Sequence, residues 1–295
     1  MENAMKVAVI GPGAMGCLYA VRLAHSGAKV QLVDHKPDRA ERLEKSGITV
    51  ESADGALEER VNVVTHVPTG LDFIIVLTKA YSTASLRFPP ETPVLTLQNG
   101  LGNVETLCSM LGSARVMAGA TTEAAHLVEE GRTRHVASGT TTFGAWTSCP
   151  VDPAAETLQK AGFNIELTDA PGQMIWEKVA INAGINPLTA LLNVPNGRLL
   201  EISEVRQLMR DLVVEAAKVA ATEGYRFDHS LVEMAEGMCE QTAENVSSML
   251  QDVRAERQTE VDALSGEIIR RATLASLPTP RTRVICQLVH GLEKR

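Results

Sequence analysis

The chain has 295 residues, of which 44% are hydrophobic and 22% charged, a composition that excludes a mostly disordered protein. At about 150 residues per domain, this length predicts two domains. The 28 Lys and Arg against 36 Asp and Glu give a net charge of −8, which argues against nucleic-acid binding and, more weakly, against an anionic membrane surface.

Several further patterns bear on compartment and metal binding. No apolar run approaches the ~20 residues that span a bilayer. We expect no signal peptide at residues 1–6, because they lack a basic region and the apolar segment is predicted to become a strand. The five cysteines stand alone without a CxxC pair, and the seven histidines are scattered. We therefore expect a cytoplasmic protein with neither a disulfide framework nor a metal site.

The first elements predict a βαβ unit. Residues 6–10 are a β-branched run followed by a glycine, residues 14–26 have helical character, and residues 29–33 form a second apolar run. Further strands are predicted at residues 73–77, 94–97, 114–120 and 133–144, with helices at 40–46 and 104–111. This alternation predicts a Rossmann-type α/β domain, a mostly parallel sheet with helices on both faces.

The pattern changes at the turn signal of residues 169–172, after which almost every segment has helical periodicity. We therefore expect two domains, an α/β dinucleotide-binding domain over residues 1–169 and an all-α domain over residues 170–295.

A glycine-rich turn joins the first predicted strand to the first helix. Its residues are Gly11, Pro12, Gly13, Ala14, Met15 and Gly16. The GxGxxG pattern alone is weak, but its place in a βαβ unit predicts that the turn cradles a dinucleotide pyrophosphate at the helix N-terminus. The alternative is a tight turn without a ligand.

Asp34 ends the second strand, 18 residues after Gly16. A carboxylate at this place accepts hydrogen bonds from a ribose 2′-hydroxyl and favours NADH, whereas a 2′-phosphate needs a nearby cation. His35 and Lys36 follow directly and could supply that cation, so the choice between NADH and NADPH stays open with a lean toward NADH.

A polar stripe marks the otherwise apolar helix predicted at residues 174–193. Lys178, Asn182 and Asn186 recur at i, i+4 and i+8 and form one ridge, while apolar residues occupy the remaining faces. Buried polar groups need partners, so the ridge predicts either a small polar ligand or an internal hydrogen-bond network. Pro187 is expected to kink this helix.

Residues 245–264 are predicted to form two helices with a break near residues 256–258. Ser248 begins a capping box and Thr259 a weaker one. A break would bring Ser248 and Glu260 to one site. The alternative is that both hydroxyl residues are only caps and Glu260 is an exposed acid.

Four segments together resemble the ketopantoate reductase (2-dehydropantoate 2-reductase) family over essentially the whole chain. They are the glycine-rich turn, the QNGLG segment at 98–102, WEKVAINAGINPLTA at 176–190, and AENVSSMLQD at 243–252 with TEVD at 259–262. The last two segments in this order are specific, whereas many dehydrogenases share the first. The resemblance implies hydride transfer from a reduced nicotinamide to the C2 carbonyl of ketopantoate, giving pantoate for pantothenate biosynthesis.

The resemblance also implies roles for individual residues. Lys178 is the general acid, and Glu260 bonds the substrate hydroxyl and is expected to reach the nicotinamide ribose. The remaining substrate contacts are Asn99, Asn182, Asn186, Asn196, Asn245 and Ser248. Further cofactor contacts are Lys79, Asn99 and Ala125. We expect Gly13, Asn99, Lys178 and Glu260 to face one cleft.

Two departures from the family pattern stand out. The family commonly has an Arg at the end of the second strand to hold the 2′-phosphate of NADPH, where this chain has Asp34 and His35. Glu256 stands where many members have Gly or an apolar residue. The competing hypotheses are a related reductase of another 2-oxo or 3-oxo acid and a non-enzymatic nucleotide-binding protein. Oligomeric state is left open, with a homodimer through the helical domain as the candidate.

Overall fold

The computed structural model of the protein describes residues 4–294. Residues 1–3 and residue 295 lie outside the described residues. Residues 1–3 belong to the opening segment for which no signal peptide is predicted. The chain divides into two compact units, the first made of residues 4–98 and 103–171 and the second of residues 99–102 and 172–294. The long segments divide after Pro171, whereas the prediction divides the chain after residue 169, and the short segment 99–102 belongs with the second unit.

An eight-stranded sheet forms the centre of the first unit. Its strands are β1 (Lys6–Ile10), β2 (Lys29–Val33), β5 (Asn62–Val64), β6 (Phe73–Val76), β7 (Val94–Thr96), β8 (Val116–Thr121), β11 (Thr140–Ala145) and β12 (Asn164–Leu167). Their order is β12-β11-β8-β7-β6-β1-β2-β5, and every neighbouring pair is parallel except β8 with β11. The mostly parallel sheet is confirmed, and the strand order reverses between β1 and β6, where doubly wound folds bind ligands.

A second, four-stranded sheet belongs to the same unit. Its strands are β3 (Ile48–Ser52), β4 (Gly55–Glu59), β9 (Ala124–Glu129) and β10 (Arg132–Ala137), in the order β4-β3-β10-β9. The single strand expected at residues 133–144 is therefore wrong: the chain leaves β10 at Ala137 and re-enters the large sheet at Thr140. Gly139 marks the passage, since an added Cβ there would lie 2.3 Å from the Thr122 backbone.

The helices of the first unit complete the α/β pattern. They are α1 (Ala14–His25), α2 (Pro37–Ser46), α3 (Asn103–Leu111) and α4 (Asp152–Lys160), with short 3-10 helices at Ala80–Ser85 and Ser113–Arg115. Helix α1 contacts β1 and β2 of the large sheet and all four strands of the small sheet. The helix that follows the glycine-rich turn is therefore held from two sides.

The second unit is helical, as predicted. Its helices are α5 (Pro171–Leu192), α6 (Arg198–Glu201), α7 (Ser203–Thr222), α8 (Leu231–Gln241), α9 (Ser248–Arg254), α10 (Glu267–Leu274) and α11 (Pro280–Leu292), with a π-helical turn at Asp262–Gly266. Buried apolar residues of α5 such as Trp176 and Ile185 join α7 residues such as Leu212 in one core. Within residues 4–294, no helix combines the length and the apolar character needed to cross a membrane.

Candidate active site

The glycine-rich turn has three glycines with different physical demands. Gly11 has a φ of +106°, and a Cβ there would lie 2.9 Å from Thr78 atoms. A Cβ on Gly16 would lie 1.8 Å from the Gly11 carbonyl oxygen, so strand and helix approach closely at that point. At Gly13 an added Cβ meets nothing within 4 Å. The protein itself requires glycine at the first and third positions, and the open space at the second fits the approach of a pyrophosphate.

The turn leads directly into α1. The backbone N–H of Cys17 donates to the Gly13 carbonyl at 2.9 Å. Pro12 lies in the turn before this bond, and Ala14 and Met15 lie in the first helical turn. The N–H groups that precede the first helical bond point out of the helix N-terminus, where the helix dipole favours a phosphate.

Asp34, at the end of β2, is buried and paired with an arginine that sequence reasoning missed. The Arg39 guanidinium donates from Nη2 to one Asp34 carboxylate oxygen at 2.7 Å and from Nε to the other, and the Lys36 N–H donates at 3.1 Å. Burial alone would raise the pKa of Asp34, but these hydrogen bonds outweigh it and hold the pKa below its usual value. Asp34 is therefore charged and largely neutralised by Arg39.

His35 and Lys36, the cations considered from the sequence, have exposed side chains. His35 Nδ1 lies 3.9 Å from an Asp34 oxygen. Arg39 lies in the first turn of α2, five residues after Asp34. The helical geometry of this turn brings its side chain back to the end of β2.

Two other predicted cofactor contacts also lie in the first unit. Lys79 follows β6 and immediately precedes the 3-10 helix Ala80–Ser85. Since parallel strands end at one edge of the sheet, Lys79 lies at the same edge as the glycine-rich turn. Ala125 lies on β9 of the small sheet, opposite His135 on β10, and packs against the core of this unit.

The polar ridge lies on α5 as expected. Asn186 is buried, and Lys178 and Asn182 are partly buried. Burial lowers the pKa of Lys178, and the Glu260 carboxylate partly offsets this effect, so that the pKa is about 8. Glu260 is itself only 7% exposed, which overturns the alternative of an exposed acid. The structure thus brings an ammonium and a carboxylate together in a sparingly hydrated place, although 82 positions separate them in the sequence.

Helix α5 continues through Pro187. The Thr189 hydroxyl lies within hydrogen-bonding distance of the carbonyl oxygens of Ile185 (3.2 Å) and Asn186 (2.9 Å), around the proline. It also lies 2.7 Å from the Ser247 hydroxyl, which connects α5 to the start of α9.

The helix cap predicted at Ser248 is wrong by one residue. Ser247 is the N-cap of α9, and its hydroxyl accepts a hydrogen bond from the Leu250 N–H at 3.1 Å. Ser248 is the first residue of the helix and is exposed. Its hydroxyl is therefore not needed for capping.

Asn196 and Asn245 are held together by the backbone. The Asn196 N–H donates to the Asn245 carbonyl at 3.0 Å, and the Asn196 side-chain N–H₂ donates to the Thr242 hydroxyl at 2.9 Å. The Asn196 side-chain oxygen is buried and has no hydrogen-bond partner within residues 4–294. A buried acceptor of this kind fits a ligand that carries a hydroxyl.

The Asn99 loop packs within the second unit although a strand of the first unit precedes it. Gly100 has a φ of +89°, and a Cβ there would lie 2.6 Å from the Cβ of Ala263. Gly100 must therefore be a glycine, and Asn99 is carried to the unit that contains Lys178 and Glu260.

The predicted break between two helices is present. Helix α9 ends at Arg254, and the π-helical turn begins at Asp262. Just before this turn, the Thr259 hydroxyl accepts a hydrogen bond from the Val261 N–H at 3.2 Å. Glu256 lies in the break with a φ of +51°. This left-handed backbone favours glycine over glutamate.

Comparison with known proteins identifies the family of this chain. The family model described as "Ketopantoate reductase PanE/ApbA" matches residues 7–148, and its C-terminal counterpart matches residues 172–293. This chain belongs to the ketopantoate reductase family. The family resemblance drawn from the four sequence segments is thereby confirmed.

Curated relatives and solved structures match nearly the whole chain. The 2-dehydropantoate 2-reductases of Halobacterium salinarum and Pyrococcus horikoshii are 35% and 33% identical and cover 97% and 98% of this chain and 98% of their own length. D-mandelate dehydrogenase with NADH and anilino(oxo)acetate aligns with a TM-score of 0.91 at 27% identity, over 98% of this chain and 99% of that one. The PanE/ApbA family ketopantoate reductase from Ralstonia eutropha aligns with a TM-score of 0.89 at 29% identity, over 98% of this chain and 99% of that one.

Proposed function

We propose that this protein is a 2-dehydropantoate 2-reductase, which reduces the C2 carbonyl of ketopantoate to give pantoate for pantothenate biosynthesis. The observation that carries the proposal is the electrostatic interaction of Lys178, on the polar ridge, with the buried Glu260 carboxylate. The names of the curated relatives support the same reaction. Five free cysteines suit a reducing compartment, so we place the enzyme in the cytoplasm.

The chain's own residues supply the proton and hold the substrate. When bound to the glycine-rich turn, the reduced nicotinamide supplies the hydride. The carbonyl oxygen then gains negative charge, and the Lys178 ammonium stabilises that charge and donates a proton to it. With a pKa near 8, Lys178 is mostly protonated at neutral pH and gives up its proton more readily than an ordinary lysine.

The second unit offers donors and acceptors that suit ketopantoate. The amides of Asn99, Asn182 and Asn186 provide donors for the carboxylate and carbonyl oxygens, with Asn245 and Ser248 as further contacts. The Glu260 carboxylate and the buried side-chain oxygen of Asn196 are acceptors for the substrate's C4 hydroxyl.

A second candidate is the reduction of another 2-oxo acid. D-mandelate dehydrogenase matches the backbone as well as ketopantoate reductases do. Mandelate is an aromatic 2-hydroxy acid without a second hydroxyl, so it leaves the acceptor on Asn196 unused. Turnover of ketopantoate at least tenfold better than that of phenylglyoxylate supports the first candidate, and the reverse order supports the second.

For the cofactor we propose a preference for NADH. Arg39 Nε and Nη2 are committed to the Asp34 carboxylate, so a 2′-phosphate at this strand end would share that cation with a buried carboxylate that repels it. A ribose 2′-hydroxyl only needs an acceptor, and the Asp34 oxygen bound by Arg39 Nε has no other donor among the described residues. Because the Asp34 side chain is 0% exposed, this contact requires a shift of the 28% exposed Arg39 side chain. The solved structures of D-mandelate dehydrogenase with NADH support the same choice.

The experiment measures kcat/KM for NADH and for NADPH with ketopantoate, in the unmodified protein and in Asp34→Asn. The substitution frees Arg39 for a phosphate, so the NADPH-to-NADH ratio should rise at least about tenfold. Adding Arg39→Gln to Asp34→Asn should cancel this gain, while Lys36→Ala alone should change the ratio little. An unchanged ratio in Asp34→Asn would refute the role of the Asp34–Arg39 pair.

A further inference from the structure

Three metal-ligating side chains meet in the second unit. Asp262, Cys286 and His290 each offer one ligand atom, and these three atoms lie within 4.8 Å of one another. Across residues 4–294, this is the one group of three or more His, Cys, Asp or Glu residues that meets this spacing. We call it the DCH cluster.

The local backbone explains how the DCH cluster forms. Cys286 and His290 are at i and i+4 on α11, so their side chains lie on one face of that helix. Asp262 is the first residue of the π-helical turn, which packs against α11. A carboxylate oxygen of Asp262 lies 2.9 Å from His290 Nε2. A π-helical turn is rare and often occurs at functional sites.

The supporting structure holds α11 in place. The buried Glu215 carboxylate accepts hydrogen bonds from the N–H groups of Arg281 (3.1 Å) and Thr282 (2.9 Å) at the start of that helix, and from the Thr282 hydroxyl (2.7 Å). Cys286 itself is only 5% exposed and packs in the core of the unit. The Cys286 sulfur therefore has a fixed position on a packed helix.

The donor set and the exposure of the DCH cluster suit a borderline or soft divalent cation. One sulfur, one imidazole nitrogen and one carboxylate oxygen are typical zinc ligands, whereas Mg²⁺ and Ca²⁺ prefer oxygen alone. The side chains of His290 and Asp262 are 38% and 72% exposed, which leaves an entry path and room for a water as fourth ligand. Tetrahedral zinc needs ligand atoms about 3.3–3.6 Å apart. The widest separation in the cluster, up to 4.8 Å, would shorten by about 1.2–1.5 Å, and the 2.9 Å separation of Asp262 and His290 would open slightly.

We propose that Asp262, Cys286 and His290 form a Zn²⁺ site in which the metal ties the π-helical turn to α11. Zinc binding replaces the thiol proton of Cys286, which is released to solvent. The scattered spacing of cysteines and histidines in the sequence disfavours a metal site. The Cys286-x₃-His290 spacing is present in the sequence, but the third ligand, Asp262, is brought to it only by the packing of the π-helical turn against α11.

The test uses Co²⁺ as a spectroscopic probe for Zn²⁺. The full chain is reduced, freed of metal with a chelator and titrated with Co²⁺. We expect one Co²⁺ per chain, a thiolate-to-cobalt charge-transfer band in the near ultraviolet, and loss of that band when Zn²⁺ is added. Zn²⁺ should also raise the thermal unfolding midpoint, whereas Mg²⁺ should not.

Variants assign the site. Cys286→Ser should abolish the charge-transfer band, and His290→Gln should weaken Co²⁺ affinity at least about tenfold. Cys108→Ser, at a partly exposed cysteine of the first unit, is the matched control and should leave the band unchanged. If Cys286→Ser does not fold, His290→Gln decides, since that side chain is partly exposed. Absence of the band, or its persistence at full affinity in His290→Gln, would overturn the proposal.

Discussion

The backbone N–H of Leu101 donates a hydrogen bond to the carbonyl oxygen of Ala263 at 2.8 Å. Ala263 lies within the π-helical turn, three residues after Glu260. This bond fixes the loop that carries Asn99 against the segment that carries Glu260. Two proposed substrate contacts distant in sequence therefore share one local support.

The proposed proton donor gives the first prediction. Lys178→Ala should lower kcat for ketopantoate reduction about 10²- to 10⁴-fold, because the developing alkoxide loses both its cation and its acid. Cofactor affinity should persist, since the glycine-rich turn belongs to the other unit. Steady-state rates and nicotinamide fluorescence titration measure both quantities. Lys218→Ala, at an exposed lysine on α7, is the control, and near-normal turnover in Lys178→Ala would contradict the assignment.

The pH dependence of reduction gives the second prediction. Lys178 must be protonated to act as the acid, so kcat should fall as pH rises through about 8, the value to which burial lowers its pKa. Glu260→Gln removes the carboxylate that raises this pKa, so the falling limb should move to lower pH. Glu244→Gln, at an exposed acid, should leave the limb in place. A limb that moves to higher pH, or not at all, in Glu260→Gln would show that the two groups are not coupled as proposed.

The glycine-rich turn allows a paired prediction. Gly13→Ala should leave thermal stability nearly unchanged, since the new Cβ meets nothing within 4 Å, but should weaken cofactor binding at least about tenfold. Gly16→Ala should destabilise the fold, because its Cβ would lie 1.8 Å from the Gly11 carbonyl oxygen. Thermal melts and cofactor titrations separate the two effects. Equal stability losses in both variants would argue against an open space at Gly13.

Glu256 gives a prediction about stability. Glu256→Gly should raise the free energy of unfolding by about 0.5–1 kcal/mol, because glycine removes the left-handed strain of about 1–2 kcal/mol and loses about 0.5–1 kcal/mol to chain entropy. Denaturant unfolding measures the change. Gln258→Gly, also exposed but without a positive φ, should instead lower stability. A destabilised Glu256→Gly would mean that the glutamate side chain makes a compensating contribution.

Local patterns predicted much of this fold. The βαβ unit, the helical second unit and the break before Glu260 all follow from periodicity, glycines and capping residues. The small sheet was not predicted, because β3 and β10 pair over a long sequence separation and neither strand carries a strong apolar pattern. Its edge strands β4 and β9 are largely solvent-facing, so their sequences also lack a strong apolar pattern.

In the candidate site too, local patterns were predicted and long-range contacts were not. The ridge of Lys178, Asn182 and Asn186 was visible because one helix carries all three residues. Arg39 was missed because its role depends on a side chain reaching back to the buried Asp34. The cap at Ser247 was missed because two adjacent serines offer the same chemistry, and only the backbone at the helix start distinguishes them.

The position of α1 between two sheets has a consequence for the order of folding. On a growing chain, β1, α1 and β2 can associate as soon as residue 33 has emerged, whereas β10 pairs with β3 only after Arg132–Ala137 has been made. The helix that presents its N-terminus to the cofactor phosphates thus acquires its second support late. We therefore expect a nascent chain that ends before Arg132 to hold α1 from one side only and to bind a dinucleotide more weakly than the full chain.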